Sequence, residues 1–154
     1  VLVELDGAWT RISYRLRYDR SWRFESARLE ARGDGSERTL EIRREEDGRW
    51  TVDGRQRPDL DACTDLDIMV TPFTNTPPLR RLDLEAGESR RLRVAWIALP
   101  ELTVAPVAQE YRRLDAGEPP TRFLYRNLES GFEGELEVDE NRLVTAYGPW
   151  RGLR

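Results

Sequence analysis

Apolar and polar residues alternate with a period of two along most of the chain. In WTRISYRLRYD, Ile12, Tyr14, Leu16 and Tyr18 fall on one face and Arg11, Ser13, Arg15 and Arg17 on the other, the pattern of a half-buried strand. Trp22 and Phe24 open a second strand. The turn signals Gly33-Asp34-Gly35, Asp47-Gly48 and Asp53-Gly54 then punctuate strands carrying Leu40 and Ile42, and Trp50 and Val52. This half predicts an antiparallel meander. Further on, RRLRVAWIALP sets Leu92, Val94 and Trp96 against Ala95, Ile97 and Leu99, so this strand is expected to be central and covered on both faces. Leu102 and Val104 are even-numbered, whereas Val107 and Tyr111, beyond Pro106, are odd-numbered; the shift predicts a bulge or sheet corner. RFLYRNL, FEGELEV and RLVTAY complete a series of about ten strands.

Helical character is confined to TPFTNTPPLRRL, Thr71 to Leu82. Thr74, Asn75 or Thr76 can cap a helix, proline is tolerated in its first turn, and LRRL continues it. The expectation is a mainly β protein with one short helix, a single domain over residues 1–154. At 18.0 kDa such a chain buries roughly 70% of its unfolded surface.

The stretch DLDACTDLDIMV alternates strictly, with Leu60, Ala62, Thr64, Leu66 and Ile68 on one face and Asp59, Asp61, Asp65 and Asp67 on the other. If extended, it is a ladder of carboxylates about 7 Å apart, each neighbouring pair repelling by roughly 0.6 kcal/mol in water. Arg80 and Arg81 are the nearest cations. Neighbouring residues point about 100° apart on a helix and about 180° apart on a strand. One arginine is therefore expected to pair with the aspartates, while the other is solvated or offers its guanidinium to a phosphate, carboxylate or sugar hydroxyl. Val107, Gln109 and Tyr111 share a strand face, so an amide and a phenol project beside apolar neighbours as in a binding pocket, to which Tyr125 and Arg126 could add. Trp96 reads as core and Cys63 as a small buried hydrophobe.

Composition narrows the chemistry. There are 29 acidic and 25 basic residues for a net charge of −4; the bases are all arginine, and histidine is absent. Imidazole bases, His-ligated zinc, Schiff bases and P-loops are thereby excluded. A calcium loop fails because Cys63 occupies its fifth position and no glycine its sixth. No cofactor and no metal are expected. The Arg11, Arg15 and Arg17 stripe lacks an aromatic platform and sits in an acidic chain, so it reads as a solvated sheet face and not as a nucleic-acid site. A lone cysteine favours a reducing, cytoplasmic setting. No apolar run approaches the roughly 20 residues of a membrane helix, and VLVELDGAWT, which lacks a basic n-region followed by an apolar h-region, is not expected to be a signal peptide. The chain starts at Val1 without methionine, so residues are expected ahead of it.

The run LDACTDLDIMVTPFTNTPPLRRL, followed by VAWIALPELTV, QEY and GFEGELEVDENRLVTAYGP, resembles the bacterial family named putative glycolipid-binding proteins, from about Trp9 to Pro149. The resemblance implies a spiral β-roll, an antiparallel sheet wrapped around a single helix, that dimerises with a second copy and is similar to periplasmic lipoprotein carriers. It carries over to Asp65, Asp67, Pro72, Phe73, Thr74, Asn75, Thr76, Arg80, Arg81, Trp96, Gln109 and Tyr111, and brings no established catalytic residue. The chain departs from the family at Ala62 and near Arg142, where glycine is expected, at Pro77-Pro78, where Leu-Pro is expected, and at Tyr147-Gly148-Pro149, where Tyr-Pro-Gly is expected. The function implied is non-catalytic binding of an amphiphile, a glycolipid or related lipid. The inner sheet face would hold the tail, and Asn75, Arg80 or Arg81, Gln109 and Tyr111 would orient the head group beside Asp65, Asp67 and Trp96. The alternatives are a ligand-free dimerisation module and a carboxylate-dependent glycan hydrolase using Asp65 and Asp67. In the first reading the Thr71–Leu82 segment is the plug of the roll, and its arginines tether the aspartate strand.

Overall fold

The computed structural model describes residues 1–5, 7–33 and 35–148 and the backbone of Trp150–Arg151; Asp34 of the Gly33-Asp34-Gly35 turn and Pro149 lie outside the described residues. The first half is the expected meander. Strands β1 (Leu2–Leu5), β2 (Ala8–Tyr18), β3 (Phe24–Gly33), β4 (Ser36–Arg44), β5 (Trp50–Val52) and β6 (Arg55–Gln56) form one antiparallel sheet in chain order. Positive φ at Asp53 and Gly54 makes the β5–β6 turn the tight type that an Asp-Gly pair favours. The second sheet holds β7 (Asp65–Ile68), β8 (Ser89–Ala98), β9 (Thr103–Arg113), β10 (Arg122–Asn127), β11 (Glu133–Val138), β12 (Val144–Tyr147) and β13 (Trp150–Arg151). Its pairings are antiparallel except β7–β8, which is parallel and therefore needs a crossover. The crossover is the plug: a 3-10 turn over Pro72–Asn75 running into helix α1 (Thr76–Arg81).

The roll is built from two sheets. The second curls into a half-barrel around α1, and the first packs on the opposite face of β7 and β8. Between the sheets lie Phe24, Leu29, Ile42 and Trp50 from one side and Leu66, Ile68, Ala95 and Ile97 from the other. In the concavity, Leu79 and Leu84 meet Tyr111, Phe123, Tyr125 and Leu136. Strand β8 lies between β7 and β9 and is covered on both faces, as its sequence requires. This layering also corrects the expected break near Pro106. The β8–β9 register runs unbroken from Ser89↔Arg112 to Ala98↔Thr103. The apolar series changes parity because Val104 packs toward the first sheet, whereas Tyr111 packs toward the helix.

Three other expectations change. Trp22 sits in the β2–β3 turn at φ 62, and the strand begins at Phe24. The aspartate ladder is short: Pro58–Leu60 is a 3-10 turn, Asp59 pairs with Arg57, and only Asp65 and Asp67 lie on a strand. Asn75 does stand at the N-cap of α1 but makes no side-chain cap; the capping side chain is Thr71 at the 3-10 turn, whose hydroxyl accepts from the Phe73 N–H, while Thr74, Asn75 and Thr76 are buried. Cys63 is a packing residue, and burial pushes its thiol up to about 11.

Arginines fasten the plug. The Nη2 of Arg81 donates to both oxygens of Asp65 at 2.7 and 2.6 Å, and its Nη1 donates to the Trp22 carbonyl at 2.6 Å. Arg80 lies 4.4 Å over the Trp22 ring and donates to the Asn141 carbonyl. Arg142 donates to the carbonyls of Leu79 and Leu82, each at 2.6 Å, and so satisfies the exposed end of the helix. Its own φ is 58, which explains why glycine suits this position. Replacing Arg81 with methionine leaves Asp65 buried without its counter-charge; a loss of about 3–5 kcal/mol is expected in urea unfolding, partly recovered by adding Asp65→Asn. At Arg142, alanine loses the caps and keeps the strained φ, whereas glycine loses only the caps. Arg142→Gly should therefore unfold at higher urea than Arg142→Ala, by about 1 kcal/mol.

Candidate functional site

Because side chains alternate along a strand, Leu66 and Ile68 enter the layer between the sheets, and Asp67 points toward the plug. There it meets donors from two elements. The Thr74 hydroxyl donates to its Oδ1 at 2.6 Å, and Gln109 Nε2, from β9, donates to its Oδ2 at 2.6 Å. The second hydrogen of the same amide goes to Tyr125 Oη at 2.8 Å. Alongside, Tyr111 donates to Asn75 Oδ1 at 2.8 Å, and Asn75 Nδ2 donates to the Pro72 carbonyl at 3.1 Å. Gln109 and Tyr111 are 0% and 1% exposed, so both are supports and not surface ligands.

Burial pushes the Asp67 carboxyl above its ordinary range, against the pull of the hydrogen bonds from Thr74 and Gln109. Among the described residues no cation pairs with it; the neighbouring arginine is committed to Asp65. Burial raises the phenols of Tyr111, Tyr125 and Tyr147, and the Asp67 charge raises them further.

Asp67 also forms part of the floor of a pocket of about 340 Å³ at the rim of the half-barrel, with Asn75, Trp96, Tyr125, Phe132 and Tyr147 around it. Tyr125, Phe132 and Tyr147 pack mutually with centroids 5.9 to 6.3 Å apart and make a continuous aromatic wall. Gly134 permits this: a Cβ there would lie 2.5 Å from the Tyr147 ring. Asn127 accepts from the Glu129 and Ser130 N–H groups and fixes the turn that presents Phe132. Phe132 and Met69, 53% and 48% exposed, form an apolar lip. Across Thr71, which lines both, lies a depression of about 380 Å³ walled by Tyr14, Val70, Phe73, Leu143 and Val144, with no charged side chain.

Of the residues singled out by sequence, Asp67, Asn75, Trp96 and Tyr125 line the pocket, Gln109 and Tyr111 hold its floor from behind, and Arg126 pairs with Glu110 and Glu133 instead. Asp65, Arg80 and Arg81 do not line it; they join the helix to the sheets. The concave face expected to carry a tail is filled by Leu79 and Leu84, so the open space lies at the rim. Phe132, Tyr147 and Met69 escaped the sequence reading. The only sequence hint was the pairing of Gly131-Phe132 in a turn with Gly134, a strand glycine that marks a close approach. Among the described residues no group of three acidic, Cys or His side chains is placed to share a metal ion, and no helix is long and apolar enough to cross a membrane.

Comparison with known proteins gives two matches. The crystal structure of a DUF1089 family protein from Pseudomonas aeruginosa superposes with a TM-score of 0.87 at 37% identity, over 98% of this chain and 82% of that chain. No curated protein matches. The family model described as putative glycolipid-binding matches residues 1–150, and the chain belongs to that family.

Proposed function

We propose that this protein binds an amphiphile, a glycolipid or related lipid, without transforming it, and that the rim pocket receives the polar head. The carrying observation is the pocket's construction, with hydrogen-bonding groups of Asp67, Asn75 and Tyr125 at its base and the exposed Met69 and Phe132 at its lip. A ligand that is polar at one end and apolar at the other matches that gradient. The depression across Thr71, which among the described residues has no charged side chain on its lining, offers a place for hydrocarbon. The family description supports the ligand class. Relative to the sequence expectation, the head-group role passes from Arg80, Arg81, Gln109 and Tyr111 to Asp67, Asn75 and Tyr125, with Trp96 alongside.

The hydrolase reading needs two carboxyls facing one glycosidic bond. Asp65 is bound to Arg81 and does not line the pocket, which weighs against it. We retain a single binding domain, a homodimer and a cytoplasmic setting as parts of the proposal; the lone buried Cys63 suits a reducing compartment. Octyl glucoside, titrated below micelle formation and followed by calorimetry, is expected to bind. Met69→Asp/Phe132→Asp should weaken it at least about tenfold with unchanged unfolding, because both side chains are largely exposed. Binding untouched by the double substitution, or no binding of alkyl glycosides or of lipid extracted from the host, would overturn the proposal.

A further inference from the structure

We infer that the head group this pocket selects carries an ammonium group, with Asp67 as its counter-charge and the aromatic wall as its cradle. The inference rests on the amphiphile reading and adds the sign of the ligand's charge.

Four observations lead there. Asp67 is a buried carboxyl whose two oxygens each accept a strong hydrogen bond, from Thr74 and Gln109, and these bonds pull toward the ionised form against the burial that raises it. A desolvated negative charge of this kind is ordinarily matched by a cation. Among the described residues none is supplied: Arg81 is spent on Asp65 and the Trp22 carbonyl, and Arg80 on Trp22 and Asn141. Among the described residues no arginine lines the pocket. The empty volume beside Asp67 is instead bounded by Trp96, Tyr125, Phe132 and Tyr147, whose ring faces attract cations by their quadrupoles.

Other head-group chemistries fit less well. A phosphate or carboxylate would enter beside an unneutralised carboxylate with no guanidinium to receive it. A neutral sugar satisfies the lone pairs but leaves the charge unmatched. An amino sugar or a substituted ammonium supplies both the hydrogen-bond donors and the opposite charge.

Proton linkage gives a second signature. The titratable groups facing Asp67 are Asp65 on its own strand, with Arg81 beyond it, Tyr18 from β2, Tyr111 from β9, Tyr125 from β10 and Tyr147 from β12. Burial lifts the phenols further from ionisation and lifts the Asp67 carboxyl above the ordinary carboxylate range. Ammonium binding needs the carboxylate, so affinity should rise as pH rises through the elevated Asp67 value.

The test uses head groups without tails, so that it is separate from amphiphile binding. Glucosamine and methyl glucoside are titrated against the intact chain, and amide shifts around Tyr125 and Phe132 are followed by NMR. Glucosamine is expected to bind at least about tenfold more tightly, with a preference that weakens at acidic pH. Asp67→Asn is expected to bring the two ligands within about twofold of each other. Tyr147→Leu, which keeps the carboxylate and guards against a folding defect in Asp67→Asn, is expected to weaken glucosamine more than methyl glucoside. Equal affinities, or a preference that survives Asp67→Asn, overturn the inference. If octyl glucoside binds and glucosamine shows no advantage, the cation inference falls and the amphiphile reading stands; if neither binds, both fall.

Discussion

A polar chain segment has been placed inside a curled sheet, and everything else follows from satisfying it. Thr71, Thr74, Asn75, Thr76, Asp65, Asp67 and Gln109 are all buried. Each polar group left without a partner in such surroundings costs about 1–3 kcal/mol, so a few failures would consume the 5–15 kcal/mol of net stability typical of a domain, in order-of-magnitude terms. The register of β7 on β8 is therefore fixed from both sides. A slip of one residue would drive Asp65 and Asp67 into the apolar layer occupied by Leu66 and Ile68, and would bring those side chains against Thr74 and Gln109.

Within that frame the two aspartates of β7 are treated oppositely. Asp65 is neutralised in place by Arg81, and the same guanidinium grips the β2–β3 turn through the Trp22 carbonyl, which locks helix, second sheet and first sheet together. Asp67 receives only neutral donors and faces open space. One end of the strand thus anchors the plug, and the other end turns a carboxyl toward the rim pocket. Arg142 closes the far end of the helix from the β11–β12 turn, so each terminus of the short plug is held by side chains from distant strands and not by helix propensity.

Much of this was legible because a half-buried strand writes its burial into alternate residues. Ile12 to Tyr18, the two-faced β8 and the paired aspartates could be read without coordinates. Reading failed where two layers cover the two ends of one strand. In β9, Val104 and Tyr111 answer to different cores, and the change of parity imitates a bulge. It failed again at Trp22, because a bulky aromatic at positive φ pays a local cost for tertiary reasons, here the Arg80 stack and the Arg81 hydrogen bond. The pocket was half legible. Asp67, Asn75 and Trp96 lie in or near the distinctive Thr71–Leu82 stretch or its partner strand. The aromatic wall is assembled from β10, β12 and a turn that no local pattern connects.

The proton inventory of the rim bears on whether the site acts or only holds. Acid–base catalysis on a glycosidic bond requires one group that gives a proton while another, across the substrate, accepts one or attacks. At the rim the phenols of Tyr125 and Tyr147 are pushed further from ionisation, and Gln109 and Asn75 do not titrate. Among the described residues Asp67 is the one carboxyl on the lining, and both of its oxygens are already engaged by Thr74 and Gln109. Under the proposed reading this carboxyl serves as a charge, and among the described residues the lining offers it no second carboxyl with which to exchange a proton. The arrangement supports the proposed binding role: an aromatic wall and an apolar lip frame the carboxyl, and the network behind them spends its hydrogen bonds on keeping them still.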